Sequence, residues 1–382
     1  MRCRTAVCSS LLAFFLFPPS AHATIIEDLI GEVAFAPVSI ELDTPDAATN
    51  VNGVVHVVGQ HDGIAARQLI DLTTGTVGQV EFFDSLLSAQ GNGGDQRGII
   101  GAVQQLNNGE VIYVGTSVGP LDSKQATSWL APNAPRGGLG FDGSQQGGAA
   151  FAAVSRDGIF VGTDGLPLFG THGNLPQVLP GFGAIGAVDI SNDSQYIVGD
   201  LIWAANNLGG YDVFDTAEFN FTPAGQTPSW VGVAIDPVVG DAVFAGTYFD
   251  LNTFTESVGF WRADGTFLGS SGENMFFRDF EIWEGQLVAA VVGAGDSTLI
   301  AITDFSMVAL ETILGVQSLI FDDGLFVGSA GFLASGANGA FVTTYRTNDS
   351  NGGGPGTEVP EPATCLLLGG GLAFGLRQRR RP

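Results

Sequence analysis

Histidine and cysteine, which most metal and nucleophilic sites need, are almost missing from the body of this 382-residue chain. The three cysteines, Cys3, Cys8 and Cys365, lie near the ends, and the body holds only His56, His61 and His172. His56 and His61 are five residues apart, which is no metal spacing, and no thiolate is at hand to complete a zinc site. A Ser-His-Asp triad is recognised by geometry rather than by composition. No nucleophile elbow and no P-loop is read here.

Carboxylates are the plentiful functional group. Glu281 and Glu284 flank Trp283, a combination that suits a sugar site in which paired acids work as acid and base. On a strand, Phe280 and Ile282 would face one side and Glu281 and Trp283 the other, with Glu284 opening a turn. We therefore expect a strand end rather than a catalytic pair, no catalytic residue and no resident cofactor. Calcium is the one cation the residues would suit: Asp189, Asp193, Asp236, Asp241, Asp322 and Asp323 recur around turns and offer hard oxygen ligands. No EF-hand pattern joins them, and aspartate is also a common turn former.

The elements that must position these groups are short strands. From Thr24 to Thr347 no amphipathic pattern of helical period runs much beyond two turns. A small unit recurs instead: an apolar run, an Asn-, Asp- or Gly-rich turn, then an apolar strand closed by glycine. The closing glycines are Gly59, Gly115, Gly162, Gly199, Gly246, Gly293 and Gly328, spaced by 35 to 56 residues. That period, with several strands in each, predicts an all-β chain folded as a β-propeller of about seven blades, each of four antiparallel strands. A sandwich or a solenoid accounts less well for one motif repeated at this spacing. Asn-Gly and Asp-Gly pairs at the turns suit type I′ hairpins. The run Gly31–Leu42 has strand character and would complete the last blade beside residues 340–345. The repeat resembles the HAF-type repeats of bacterial extracellular proteins.

Both ends carry addresses. Arg2 and Arg4, an apolar run and Ala21-His22-Ala23 make a signal helix with a small-x-small cleavage site, so residues 1–23 read as a signal peptide. Residues 24–347 form the repeat domain, and the Gly-rich residues 348–358 are a flexible linker. Val359-Pro360-Glu361-Pro362 follows, then an uncharged run from Ala363 to Leu376, then Arg377, Arg379, Arg380 and Arg381. This order, at 359–382, resembles the PEP-CTERM sorting signal of bacterial exported proteins, which an exosortase recognises and processes. The apolar run would be a short transmembrane helix, held by the arginines on the cytoplasmic side.

Without the two signals the chain keeps 8 basic and 38 acidic residues, a charge of −30. Such a field repels nucleic acid and anionic polysaccharide. The sequence therefore points to a non-enzymatic surface or matrix protein of an exopolysaccharide-producing Gram-negative bacterium. It would cross the inner membrane through the Sec translocon, be anchored transiently, and be processed by exosortase. Its role would be structural, adhesive or ligand-binding, with exopolysaccharide or another surface protein as partner. The alternative is a carbohydrate-active enzyme, a glycoside hydrolase or lyase, using carboxylates at the propeller axis.

Overall fold

The computed structural model describes residues 38–309, apart from short gaps that include 87–96, 119–123, 138–149 and 251–253, together with strands within 319–344. The expected signal helix, linker, sorting motif and C-terminal helix lie outside the described residues. Among the described residues no helix is long and apolar enough to cross a membrane.

The chain forms antiparallel sheets of four strands, each built from consecutive segments. Blade I spans residues 44–82 and carries a fifth strand; blades II to VI span 98–137, 150–178, 187–213, 229–270 and 276–309. One further sheet, at 319–344, takes its outermost strand from the N-terminal side: Val38 pairs with Val342, Ser39 with Phe341 and Ile40 with Ala340. The expected closure by the Gly31–Leu42 run is thus seen at Val38–Ile40. The first strand of each sheet packs beside the first strand of the next, and Leu319–Asp322 returns to Thr44–Val51. These first strands are the inner wall of a propeller.

Six of the inner strands carry a β-bulge at the same place: after Pro45, Ile100, Phe151, Ala187, Trp230 and Phe277. Opposite the residue before the bulge stands a closing glycine in blades I to V: Gly59, Gly115, Gly162, Gly199 and Gly246. In blades I, II and IV the bulge pushes a backbone carbonyl onto that glycine, and in blade V the Pro228 and Trp230 side chains crowd it. A Cβ there would lie 1.9 Å from the Thr44 oxygen in blade I and 2.1 Å from the Ile99 oxygen in blade II. In blade VI the equivalent position is Val291, opposite Phe277, and Gly293 lies just past the strand. Gly293 is therefore not a closing glycine in the structural sense, although it fits the spacing.

The core lies between blades. Trp129, Trp203 and Trp261 sit fully buried on third strands. Their indole N–H groups donate to the carbonyls of Asp84, Pro180 and Asn220, in the segments leading into each blade. Each ring buries a large apolar area and satisfies its one donor. Blade I puts Gln68 at that place, where its amide joins Glu41 and Gly78. Blades I and II are also locked by Arg67, which donates to the Glu81 carboxylate and to the Tyr113 hydroxyl.

Candidate functional site

The site is built by turns. Where the inner strand ends, blades II, III and IV turn at Leu106–Gly109, Ser155–Gly158 and Ser191–Ser194, each closed by an N–H to carbonyl bond between the end residues. Only the last residue of each has positive φ: Gly109 at 87°, Gly158 at 81° and Ser194 at 59°. These are type I turns with a left-handed fourth residue, not the expected type I′. Type I′ geometry does hold at Asn52-Gly53 and Asp62-Gly63, where both residues have positive φ. Blade V makes a longer turn in which the Gly240 N–H donates to the Asp236 carbonyl.

The first residue inside each of these four turns is Asn107, Arg156, Asn192 or Pro237, and all four line one cavity of about 450 Å³. Blade VI completes it with Phe280, Glu281 and Ile282 from the end of its inner strand. The polar residues of the lining are stitched blade to blade. Asn107 Nδ2 donates to Asp157 Oδ1 at 2.7 Å, and the Asn107 N–H donates to the Arg156 carbonyl. Ser194 donates to Ser155 at 2.8 Å and to Asp157 Oδ2 at 3.2 Å. Blades V and VI add the apolar residues Ile235, Pro237, Phe280 and Ile282 to the lining.

Further up the inner strands lies a set of charges from three blades. Asp189 and Asp279 occupy the same position, immediately after the bulge, in blades IV and VI. Asp189 accepts the N–H of Ile190 and, across the blade boundary, the N–H of Val233. Burial pushes its carboxyl up to about 7. Asp279 accepts the N–H of Phe280. Burial, and then the charges of Glu281 and Asp189, hold its carboxyl well above the usual range. At the bulge residues themselves, burial raises Asp46 to about 6, partly offset by Arg278. Glu281 thus belongs both to the cavity and to this set.

The described calcium candidates, Asp189, Asp193, Asp236 and Asp241, each bond to groups of the chain. Asp193 Oδ1 accepts the Ser191 hydroxyl at 2.7 Å and the Gln195 N–H at 3.1 Å. Asp236, only 1% exposed, accepts the Val238 N–H and pairs with Arg262 at 3.4 Å. Asp241 accepts the Ala242 N–H. The Asp322 side chain and Asp323 lie outside the described residues, as do the side chains of Trp283 and Glu284. Among the described residues no three His, Cys, Asp or Glu side chains converge as a metal set. Because the described aspartates already work as turn caps, adding a calcium chelator is expected to leave the melting temperature unchanged; a fall of several degrees would restore calcium to these turns.

Each histidine makes a polar contact within the propeller. His56 Nδ1 lies 2.7 Å from the Tyr113 hydroxyl, and burial, then the nearby Arg67 charge, lowers its pKa to about 4. His61 stands 3.6 Å from Asp43, and His172 Nδ1 3.0 Å from the Ser128 hydroxyl. One motif escaped the sequence reading: Gly115-Thr116-Ser117-Val118-Gly119 has Gly-x-Ser-x-Gly spacing. It is no nucleophile elbow, since Ser117 lies 1% exposed in a strand, accepting from the Leu86 N–H and the Thr127 hydroxyl.

Residues 358–381 match the PEP-CTERM protein-sorting motif. The match takes in Val359 to Pro362 and the four terminal arginines, and marks a secreted protein that exosortase sorts to the cell surface. No curated protein matches the chain. Solved structures similar to it include a nidogen/laminin complex, at 13% identity over 59% of this chain and 83% of that one, with TM-score 0.35. A putative 6-phosphogluconolactonase from Bacteroides fragilis NCTC 9343 gives 12% identity, 71% and 84% coverage and TM-score 0.43. The polysaccharide lyase Uly1 gives 11%, 80% and 90%, and 0.47.

Proposed function

We propose that this exosortase-sorted protein is a seven-bladed, non-enzymatic binding module of the bacterial surface or extracellular matrix, adhering to exopolysaccharide through the turn-built cavity. The observation that carries this reading is the origin of the cavity. Equivalent turn positions of four successive repeats supply its rim, as in a surface made for contact along a chain. The carboxylates at the rim are spent on structure: both oxygens of Asp157 accept bonds that hold the turns of blades II to IV together. Mass spectrometry of the mature protein tests the delivery half. The chain should end near Pro360 to Pro362, and an intact Arg377–Arg381 end would refute processing.

A carbohydrate-active enzyme is the second reading, favoured by the carboxyl of Asp189, raised to about 7, and by Glu281 beside Asp279. A carboxyl kept protonated near neutral pH is what a general acid needs. Release of new sugar ends from a polysaccharide by the purified protein, abolished in Glu281→Gln, would replace adhesion with catalysis.

A further inference from the structure

The cavity lining is of two kinds, polar and apolar, and the difference selects a ligand. Among the described residues, no partner holds the Arg156 guanidinium or the Asn192 amide. The same lining holds the acceptors Asp157, Asp193 and Glu281 and the apolar Ile235, Phe280 and Ile282. We propose that the cavity binds a neutral oligosaccharide segment, with Arg156 and Asn192 bonding its hydroxyls and the apolar residues receiving the C–H face of a ring. This deepens, and rests on, the reading of the protein as a glycan-binding surface module.

Size, polarity and charge each narrow the choice. A space of about 450 Å³ lies within the range of small-ligand pockets, roughly 300–1,000 Å³. A sugar ring carries hydroxyl donors and acceptors around its edge and an apolar face, matching a lining of polar and apolar residues. Three carboxylates against one guanidinium, in a body of charge −30, repel a uronic or sulfated glycan. A cationic amino sugar would need a free carboxylate to pair with, whereas both Asp157 oxygens and Asp193 Oδ1 already accept bonds from the turns. The uncharged glycan remains. The rim also needs little ordering on binding, because the bonds from Asn107 and Ser194 to Asp157 fix three turns relative to one another.

Calorimetric titration of the mature secreted protein can decide this with three probe sets: neutral gluco- and mannooligosaccharides, oligogalacturonate and chitosan oligosaccharides. Neutral probes should bind, and Arg156→Ala and Asn192→Ala should each weaken binding about 10-fold with an unchanged melting temperature, since both side chains stand at turn tips. Asp264→Ala, at a turn outside the cavity, should bind as the parent does. Binding of only the acidic or only the amino oligosaccharide overturns the neutral class while leaving a glycan-binding module. Binding of none overturns the glycan reading as well. Neutral binding that survives both cavity substitutions overturns the assignment to this cavity.

Discussion

Gly115→Ala is expected to cost about 3 kcal/mol, a large share of a domain's stability of about 5–15 kcal/mol. The added methyl would lie 2.1 Å from the Ile99 carbonyl oxygen and 2.9 Å from the Ile100 Cα. Ordinary contact is about 3.5 Å, so the inner strand of blade II must retreat from its neighbour. That strand cannot retreat freely, because it packs against the inner strands of blades I and III on its two sides. Gly109→Ala in the same blade is the matched control. No atom lies within 4 Å of its Cβ position, and its φ of 87° is the only obstacle. The cost there should be about 1 kcal/mol. Chemical denaturation of the two variants measures the contrast, and equal costs would mean that the bulge is not what demands the closing glycine.

The glycines were legible because their cause is local and repeated. A carbonyl driven onto the second strand recurs in blades I, II and IV, and in blade V the side chains of Pro228 and Trp230 take its place, so glycine recurs at a spacing the eye can find. The bulge that causes it left no such mark: its extra residue is Asp46, Gly101, Ala152, Val188, Val231 or Arg278, with no type in common. Turn chemistry was read correctly as turns and wrongly as type I′. Asn108-Gly109 and Asp157-Gly158 look the same in sequence as Asn52-Gly53, and differ only in whether the first residue takes positive φ. That difference matters for the site, since the wider turn is what places Asn107, Arg156 and Asn192 at one rim. Asp279 was hidden for another reason. In Phe277-Arg278-Asp279-Phe280 it reads as the polar side of a strand, and its neighbour Asp189 comes from a blade 90 residues away. The ring of blades, not the local pattern, brings those charges within range of each other.

Those charges make stability fall as the solution becomes more alkaline. A carboxyl in the unfolded chain has a pKa near 3.9, whereas Asp46 stands at about 6, Asp189 at about 7 and Asp279 well above its ordinary value. The folded protein therefore holds protons that the unfolded chain has given up, and the stability they contribute is lost as pH rises through the folded values. His56 works the other way. Its folded pKa of about 4 lies below the unfolded value near 6.5, so its contribution is lost as pH falls through that window. At pH 6.5 the unfolded histidine is still half protonated, so His56 opposes the fall slightly up to about pH 7.5 and is neutral in both states above it, where the carboxylates decide the slope. The protein should accordingly melt lower at pH 8 than at pH 6.5. Asp279→Asn keeps an oxygen to accept the Phe280 N–H and removes one charge from beside Glu281 and Asp189. It is expected to stabilise the protein at pH 8 by about 1–2 kcal/mol, a few degrees in melting temperature, and to flatten the fall of stability with rising pH. The gain should shrink as the pH is lowered, because a carboxyl held well above its ordinary range takes up its proton earlier than a free one. A variant that melts lower than the parent at pH 8 would show that the Asp279 carboxylate is held as a stabilising anion, and that the inner wall of the propeller carries its negative charge without cost.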